Sequence, residues 1–422
     1  MTPLERVRYV RDHIPAEGLF AEKAWRIAPQ PFVLSARHVE LLEKLGIVLN
    51  RFNNACNLLY RQSVAGKVHP WVAALLDAGK PAELIALSRH EKVKGQVPAV
   101  IRPDLILTEE GFAMSELDSV PGGIGLTAWL GETYAALGES VLGGANGMRE
   151  GFASVLGDGE VLISEESATY RPEMEWLIGA DRVRSVESYT ASGKPIYRFF
   201  EAFDYPTLTA FKSAWQPGQP LTAPLKPYLE EKLWLALFWS RPLQEFWRQE
   251  IGEKGQKLLQ GIIPYSWVLD PAPLPPHAVI PELGIQSWSE MERFSQKQRE
   301  LVLKISGFSP LAWGARGVFV GSDMSAEQWT EQVRLGLAEF AEHPRVLQRF
   351  VKGALAKQDY VAENDEVVTL TGRARVCPYY FVANDRATLG GVLVTHCPSD
   401  KKLLHGMRDA ILSPAVAEPV PA

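Results

Sequence analysis

The spacing of hydrophobic and polar positions changes along the chain, and each spacing predicts a different kind of element. Up to about residue 100 the apolar positions recur at helical intervals, as in 39–45 and 71–76. Between 160 and 188 two short apolar runs flank a helical stretch, which is typical of a strand, helix, strand unit. The same alternation returns from about residue 297, with strands expected at 301–305 and 345–351. The pattern as a whole predicts a mixed α/β (α+β) fold.

These changes of pattern also divide the chain into regions. Breaks rich in glycine or proline, at 143–147 and 215–224, separate periodic segments. We therefore predict an N-terminal helical region (1–100), a hairpin with a following helix (101–150), a small Rossmann-like α/β unit (151–215), a long region of strands and helices (216–412) and a disordered tail (413–422).

One segment has the pattern of a β-hairpin. Two apolar-rich runs, 105–108 and 112–117, flank the sequence Glu109-Glu110-Gly111. A three-residue hairpin loop with glycine in the left-handed conformation is a common way to join two strands. We therefore expect Thr108 to pair with Phe112.

This register gives the hairpin one strongly charged face. Counting back from the loop sets Asp104 opposite Glu116 and Arg102 opposite Asp118, and side-chain alternation places all four on the same side. Closely packed carboxylates repel one another unless a cation neutralises them, and sites made of oxygen ligands suit hard ions such as Mg²⁺. The face is therefore either a site for a magnesium nucleotide or a solvated surface on which the arginine holds the acids together.

Two later segments have residues that suit phosphate. Lys304 lies near the end of a predicted strand, and the sequence Trp313-Gly314-Ala315-Arg316-Gly317 follows. Glycines let backbone N–H groups approach phosphate oxygens, while lysine and arginine supply positive charge. Lys232 opens an apolar, aromatic helix predicted over 228–247. The simpler alternatives are a surface turn with a structural arginine, and a lysine paired with a nearby acid at a solvated helix start.

Composition excludes several classes of function. The chain has 422 residues, 46% hydrophobic and 22% charged, which is an ordinary globular profile. Its net charge of −6 argues against a nucleic-acid partner. The N-terminus lacks the features of an export signal and no apolar run approaches about 18 residues, so we expect a cytoplasmic protein without a membrane contact. The three cysteines have no paired spacing, so we expect buried thiols rather than disulfides or a zinc site.

Taken in order, these motifs resemble the circularly permuted ATP-grasp ligases, such as the synthetase domain of glutathionylspermidine synthase. The resemblance spans roughly residues 100 to 395 and rests on Arg102-x-Asp104, Glu116-x-Asp118, Lys232, Lys304 with its glycine-arginine loop, and the sequence 347–351. Ordinary ATP-grasp chains place the lysine-bearing lobe before the metal-binding strand, and here the order is reversed. The family has asparagine at the position of Asp118, so this chain carries one additional negative charge.

The resemblance implies a role for each matching residue, with ATP and Mg²⁺ as cofactors. It makes 101–150 part of the ATP-grasp core, 151–215 a unit like those that precede the ATP-grasp domain, and 216–412 the ATP-binding lobes. The implied magnesium ligands are Asp104, Glu116 and Asp118, the implied ATP contacts are Lys232, Lys304, Gly314, Gly317, Gln348, Phe350 and Val351, and the implied catalytic residues are Arg102 and Arg316.

The activity that the resemblance implies is an ATP-dependent carboxylate-amine ligase. Such an enzyme phosphorylates a small carboxylate, and an amine attacks the acylphosphate to form an amide or peptide bond as ADP is released. Two alternatives remain open, namely an ATP-dependent kinase on the same scaffold and a non-catalytic nucleotide-binding protein. A glycosidase-like use of the paired acids is less suited to a cluster with an arginine opposite them.

Overall fold

The computed structural model of this chain describes residues 1–18, 20, 24–312, 316–406 and 408–419, and it is a mixed α/β structure, as predicted. Helices dominate the first hundred residues and recur between later strands. In the described residues the α-helices are Pro3–Asp12, Ala36–Val64, Trp71–Asp77, Ala82–Ser88, Ile124–Ala136, Gly147–Leu156, Arg171–Ile178, Thr209–Ala214, Leu233–Trp239, Gln244–Ile251, Glu253–Ile262 and Ala326–Ala338.

The strands of the described residues form three sheets. The largest has eight strands, in the order Arg26–Ile27, Ile411–Ala417, Arg386–Pro398, Val367–Ala383, Val100–Leu107 and Phe112–Asp118, with Ala356–Val361 paired to Val367–Ala383 and Phe32–Leu34 paired to Ile411–Ala417. An antiparallel sheet has the order Val318–Val320, Leu301–Ile305, Arg345–Arg349 and Ser266–Val268. A parallel sheet has the order Val183–Ser185, Glu160–Ile163, Ile196–Phe199 and Leu221–Thr222.

The hairpin pairs as predicted at its charged end and differently at its loop. Leu107, not Thr108, is opposite Phe112, and Gly111 does not adopt a left-handed conformation. Instead the Thr108 N–H donates to the Gly111 carbonyl at 3.0 Å, and the Thr108 hydroxyl accepts from the Gly111 N–H at 3.1 Å. The extra loop residue offsets the pairing by one position at the start of the hairpin.

A β-bulge restores the expected register further along the hairpin. The irregularity falls between Asp104 and Leu105, so that Ser115 is the additional residue on the opposite strand. The Ser115 hydroxyl donates to the Asp104 carbonyl oxygen at 3.1 Å, which fixes the bulge. Asp104 is therefore opposite Glu116, as the sequence predicted, although the predicted loop was wrong.

Two other predicted elements need correction. The aromatic helix expected over 228–247 is broken, because Pro242 supplies no N–H and disfavours helical geometry at the residue before it. Helix Leu233–Trp239 ends three residues before Pro242, which lies in the 3₁₀ turn Arg241–Leu243, and a new helix follows at Gln244–Ile251.

The disordered tail predicted from 413 is also wrong over its first residues. Ile411–Ala417 is a strand of the largest sheet, antiparallel to Arg386–Pro398 and parallel to Phe32–Leu34. Its low complexity suggested a frayed end, but Leu412 and Ala415 are buried in the sheet, and this burial stabilises the strand.

The chain divides into two compact units, each built from separate stretches of sequence. Unit 1 comprises Met1–Arg51, Gln96–Pro224 and Lys352–Ala422, and unit 2 comprises Phe52–Gly95 and Leu225–Val351. Each region predicted from the sequence is one continuous stretch of chain, whereas each unit combines several stretches. The functional assignment of the predicted regions remains a prediction.

Each unit has its own hydrophobic core. In unit 1, Trp129 and Phe152 from two helices pack in a cluster with Tyr379 and Phe381 of the largest sheet. In unit 2, Trp329 and Val333 of helix Ala326–Ala338 pack in a cluster with Leu303 and Leu347 of the antiparallel sheet. No helix in the described part of the chain is long and apolar enough to cross a membrane.

Candidate functional site

The hairpin of unit 1 carries the predicted charged face. Arg102 is opposite Asp118 and Asp104 is opposite Glu116. The Arg102 Nη2 lies 3.0 Å from Asp118 Oδ2, and its Nε lies 3.1 Å from Asp104 Oδ1. One guanidinium therefore pairs with an acid on each of the two hairpin strands.

A residue that the sequence analysis missed completes this face. The strand Val367–Ala383 pairs with the first hairpin strand, and its Arg375 Nη1 lies 2.9 Å from Asp104 Oδ2. From the same strand the Cys377 thiol donates to Asp104 Oδ1 at 3.3 Å. Arg373, Arg375 and Cys377 alternate along the sequence as side chains on one face of a strand do, but nothing in the sequence indicates which strand is the neighbour.

Burial and charge together set the proton affinities of these groups. Burial by itself would lower the pKa of Arg102, but Asp104 and Asp118 outweigh it and hold that pKa well above its usual value. Burial raises the pKa of Asp118, with a further contribution from Glu116, against the opposing effect of Arg102. Burial, followed by the charge of Asp104, raises the pKa of Cys377 to about 12, so its thiol remains protonated at neutral pH.

Two glycines shortly after the hairpin, Gly122 and Gly123, form structural hydrogen bonds. The Gly122 carbonyl accepts hydrogen bonds from Arg102 Nη1 at 3.1 Å and from the Tyr379 hydroxyl at 2.7 Å. The backbone N–H groups of Gly123 and Leu126, at the start of helix Ile124–Ala136, both donate to the buried carboxylate of Glu173 at 2.9 Å. A protein carboxylate therefore already binds this helix N-terminus.

The acids of the hairpin suit magnesium in their chemistry, because carboxylate oxygens are hard ligands. In the described part of the chain no group of three or more His, Cys, Asp or Glu side chains is arranged to hold a metal ion. The oxygens of Asp104 and Asp118 instead contact arginines and, in the case of Asp118 Oδ1, the Val120 N–H at 2.9 Å. A cation would compete with the two guanidinium groups for these oxygens.

In unit 2 the structure brings Lys304 and Gln348 together. They lie on neighbouring strands, Leu301–Ile305 and Arg345–Arg349, and point to the same face of the antiparallel sheet. Lys304 Nζ donates to Gln348 Oε1 at 2.8 Å, and Gln348 Nε2 donates to the Ser266 hydroxyl at 3.2 Å. A line of polar side chains thus crosses three strands of a buried sheet.

Lys232 and Arg316 both contact the segment that follows strand Leu301–Ile305. Lys232 directly precedes helix Leu233–Trp239, and its Nζ donates to the Ala312 carbonyl at 3.5 Å. The exposed Arg316 donates to the Pro310 carbonyl at 3.0 Å. Lys232 therefore lies against the loop that begins after Lys304.

The remaining predicted contacts have separate positions. Gly317 is buried, and its carbonyl accepts from the Ile305 N–H at 3.0 Å. Phe350 and Val351 follow the strand Arg345–Arg349, and the Phe350 N–H donates to the Glu300 carbonyl at 3.1 Å. Gly314 lies outside the described residues.

The predicted site residues thus fall into two groups, each assembled within one compact unit. Unit 1 holds Arg102, Asp104, Glu116 and Asp118, and unit 2 holds Lys232, Lys304, Arg316, Gly317, Gln348, Phe350 and Val351.

Comparison with known proteins gives a likeness in structure only. No protein-family description matches the sequence, and no curated protein matches it. A glutathione synthetase-like effector from Globodera pallida, solved in its apo form, is similar over 98% of this chain and 97% of its own, with 9% sequence identity and a TM-score of 0.53. A protein described as a gamma-glutamylcysteine synthetase from Methylobacillus flagellatus KT covers 89% of this chain and 87% of its own, at 11% identity and a TM-score of 0.38. The chain therefore has a mixed α/β fold similar to that of the glutathione synthetase-like effector.

Proposed function

We propose that this protein is an ATP-dependent carboxylate-amine ligase with a circularly permuted ATP-grasp fold. The observation that carries the proposal is the register of the hairpin, which sets the Arg102-x-Asp104 and Glu116-x-Asp118 motifs directly opposite each other on one face. The fold shared with the glutathione synthetase-like effector supports the same reading. The chain order, with the acidic hairpin before the lysine-bearing strand Leu301–Ile305, is the order expected of the permuted form.

The acids and arginines of unit 1 would handle the transferring phosphoryl group. Asp104, Glu116 and Asp118 are the residues that would hold Mg²⁺, which when bound supplies positive charge to the ATP phosphates. Arg102 keeps its positive charge throughout the neutral range, because its acidic neighbours raise its pKa. Its guanidinium is suited to stabilise the charge that develops on the phosphoryl oxygens.

The lysines of unit 2 would bind the nucleotide. Lys304 lies on the strand that precedes the loop contacted by Lys232, and the ammonium group of each lysine can donate to phosphate oxygens. Gln348 orients the Lys304 ammonium through its side-chain oxygen. Backbone groups of Phe350 and Val351, at the end of the same strand, are the proposed contacts for adenine, and Arg316 is the proposed contact for the γ-phosphate.

The proposed reaction has two steps. A carboxylate oxygen of the first substrate forms a bond to the γ-phosphorus of ATP while the bond to the β-phosphate oxygen breaks, giving an acylphosphate and ADP. The amine nitrogen of the second substrate then attacks the acyl carbon, phosphate leaves, and the nitrogen loses a proton as the amide forms. The residues of this chain would orient the reactants and exclude water from the acylphosphate.

The test measures ATP binding with and without Mg²⁺, followed by product analysis with panels of carboxylates and amines. We expect Mg²⁺ to strengthen ATP binding to wild type and the Asp104→Asn and Glu116→Gln variants to lose this dependence. Glu109→Gln is the matched control, because Glu109 is an exposed acid in the loop of the same hairpin. Formation of a phosphorylated product without amide would indicate the kinase alternative, and ATP binding without turnover would indicate a non-catalytic protein.

A further inference from the structure

The Glu231 side chain is a buried acid of unit 2 that the proposed reaction does not use. Its carboxylate and the Lys80 ammonium form an ion pair in which both side chains are only 1% exposed. The other carboxylate oxygen accepts from the Ser306 hydroxyl and, at 3.0 Å, from the Gly307 N–H. A buried ion pair is stable only when its remaining hydrogen-bonding groups are also satisfied, and Glu231 has partners on both oxygens.

These partners tie together the segments that bear the two candidate lysines. Glu231 directly precedes Lys232 in sequence, and its partners Ser306 and Gly307 come two and three residues after Lys304. The backbone contact is equally close, since a Cβ atom added at Gly307 would lie 2.2 Å from the Glu230 carbonyl oxygen. The distance between the two segments is therefore fixed by both side-chain and backbone contacts.

Lys80 anchors this arrangement to a third segment of the unit. It follows Gly79, whose φ of +70° favours glycine and whose added Cβ would lie 2.0 Å from the Glu342 carbonyl oxygen. Lys80 also lies 5.6 Å from the centroid of the Phe308 ring, in the loop that Glu231 holds. The lysine is therefore confined from two directions, and its charge requires the Glu231 carboxylate.

We propose that Glu231, held by Lys80, is a positioning residue that fixes Lys232 and the segment after Lys304 for binding nucleotide phosphate. This inference rests on the proposed function. Phosphate recognition requires ammonium groups at set distances, and a misplacement of about 1 Å can cost up to about 100-fold in activity. The partners of the Glu231 carboxylate are Lys80, Ser306 and Gly307 rather than Lys232 or Lys304. Glu231 would therefore act on the two candidate lysines through the backbone that carries them.

The experiment compares Mg-ATP dissociation constants of wild type, Glu231→Gln and Ser306→Ala, at a temperature at which circular dichroism shows each protein folded. Loss of the Glu231 charge should weaken ATP binding by about tenfold, because the lysine-bearing segments lose a fixed separation. Ser306→Ala removes one bond to Glu231 without leaving a buried charge unpaired, so it should fold normally and weaken binding by about threefold.

Arg345→Gln is the matched control. Arg345 is a buried arginine of the same antiparallel sheet, paired with Glu339 at 2.8 Å, and it lies on the face opposite Lys304. It should reduce thermal stability without changing the ATP dissociation constant. Equal weakening by Arg345→Gln, or unchanged binding in both Glu231→Gln and Ser306→Ala, would overturn the positioning role alone. Failure of wild type to bind ATP would overturn the proposed function and the role of Glu231 with it.

Discussion

Arg102 in the acidic hairpin of unit 1 and two buried lysines of unit 2 have partners of different kinds. Arg102 and Asp118 form an ion pair between residues 16 apart in one hairpin. Lys304 and Lys226 instead donate to the amide oxygens of Gln348 and Asn57, which are 44 and 169 residues away. A partner within one hairpin follows from turn and pairing rules, whereas a partner on a distant segment depends on how the whole unit folds.

The largest effect should come from removing the centre of the hairpin ion pairs. Arg102→Gln leaves Asp104 and Asp118 without their shared partner, so we expect the unfolding free energy to fall by about 3 kcal/mol. We also expect ATP turnover to fall by about 1,000-fold, because the proposed donor to the transferring phosphoryl group is lost. Denaturant unfolding and ADP release would measure the two effects.

Arg37→Gln is the control for this change. Arg37 is an exposed arginine that lies 3.6 Å from Glu110 in the loop of the same hairpin. An exposed pair is worth at most about 1 kcal/mol, so its loss should leave turnover unchanged. Equal effects of the two substitutions would show that the buried pairs have no special role.

The corresponding change in unit 2 tests a lysine that we propose to bind ATP. Lys304→Met should weaken ATP binding about 30-fold, which corresponds to roughly 2 kcal/mol for a hydrogen bond to a charged group. Lys297→Met, at an exposed position shortly before the same strand, should leave binding unchanged. Isothermal titration calorimetry would separate the outcomes, and unaltered affinity in Lys304→Met would remove this lysine from the proposed site.

The hairpin illustrates how far the sequence could predict the site. Side-chain alternation and hairpin pairing were enough to place Arg102, Asp104, Glu116 and Asp118 on one face. The predicted loop was one residue too short, and the bulge at Ser115 compensates for it. A bulge depends on the neighbouring strands and has no strong signal in the local sequence, so it could not be predicted. The predicted pairing of Asp104 with Glu116 is therefore correct even though the predicted loop does not form.

The residues that the sequence analysis missed all have partners from distant segments. Arg375 reaches Asp104 only because the strand Val367–Ala383 lies beside the hairpin. Glu231 is 151 residues from its partner Lys80. Local periodicity predicts which side of a strand a residue faces, but the choice of neighbouring strand is a property of the whole fold.

The pH dependence of stability can test how a lysine behaves when its partners are neutral oxygens rather than a carboxylate. Lys226 is fully buried, and its Nζ donates to Asn57 Oδ1 at 2.9 Å and to the Lys94 carbonyl at 3.1 Å. Burial, followed by the charge of Arg61, lowers its pKa from 10.5 to about 7. Between about pH 7 and pH 10 the unfolded chain therefore binds a proton at this residue that the folded chain does not.

Stability should consequently rise with pH in this window. The contribution of one such group is at most about 1.4 kcal/mol per pH unit. Urea unfolding of wild type and Lys226→Met at pH 7, 8 and 9 would measure it, and the slope for wild type should exceed that for the variant. Parallel slopes would show that the Lys226 ammonium group keeps its proton on folding.

The smallest effect concerns competition between arginine and a divalent cation at the hairpin. Arg375 Nη1 lies 2.9 Å from Asp104 Oδ2, so a bound cation would compete with this guanidinium group for that oxygen. Arg375→Gln should therefore strengthen the binding of Mn²⁺ alone by about fivefold, or roughly 1 kcal/mol, measured by electron paramagnetic resonance without nucleotide. Arg373→Gln is the matched control, because Arg373 lies two residues away on the same strand and donates to the backbone carbonyls of Gly353 and Ser399 rather than to an acid. It should leave Mn²⁺ affinity unchanged, and weaker Mn²⁺ binding in Arg375→Gln would mean that this arginine orients Asp104 for the cation instead of competing with it.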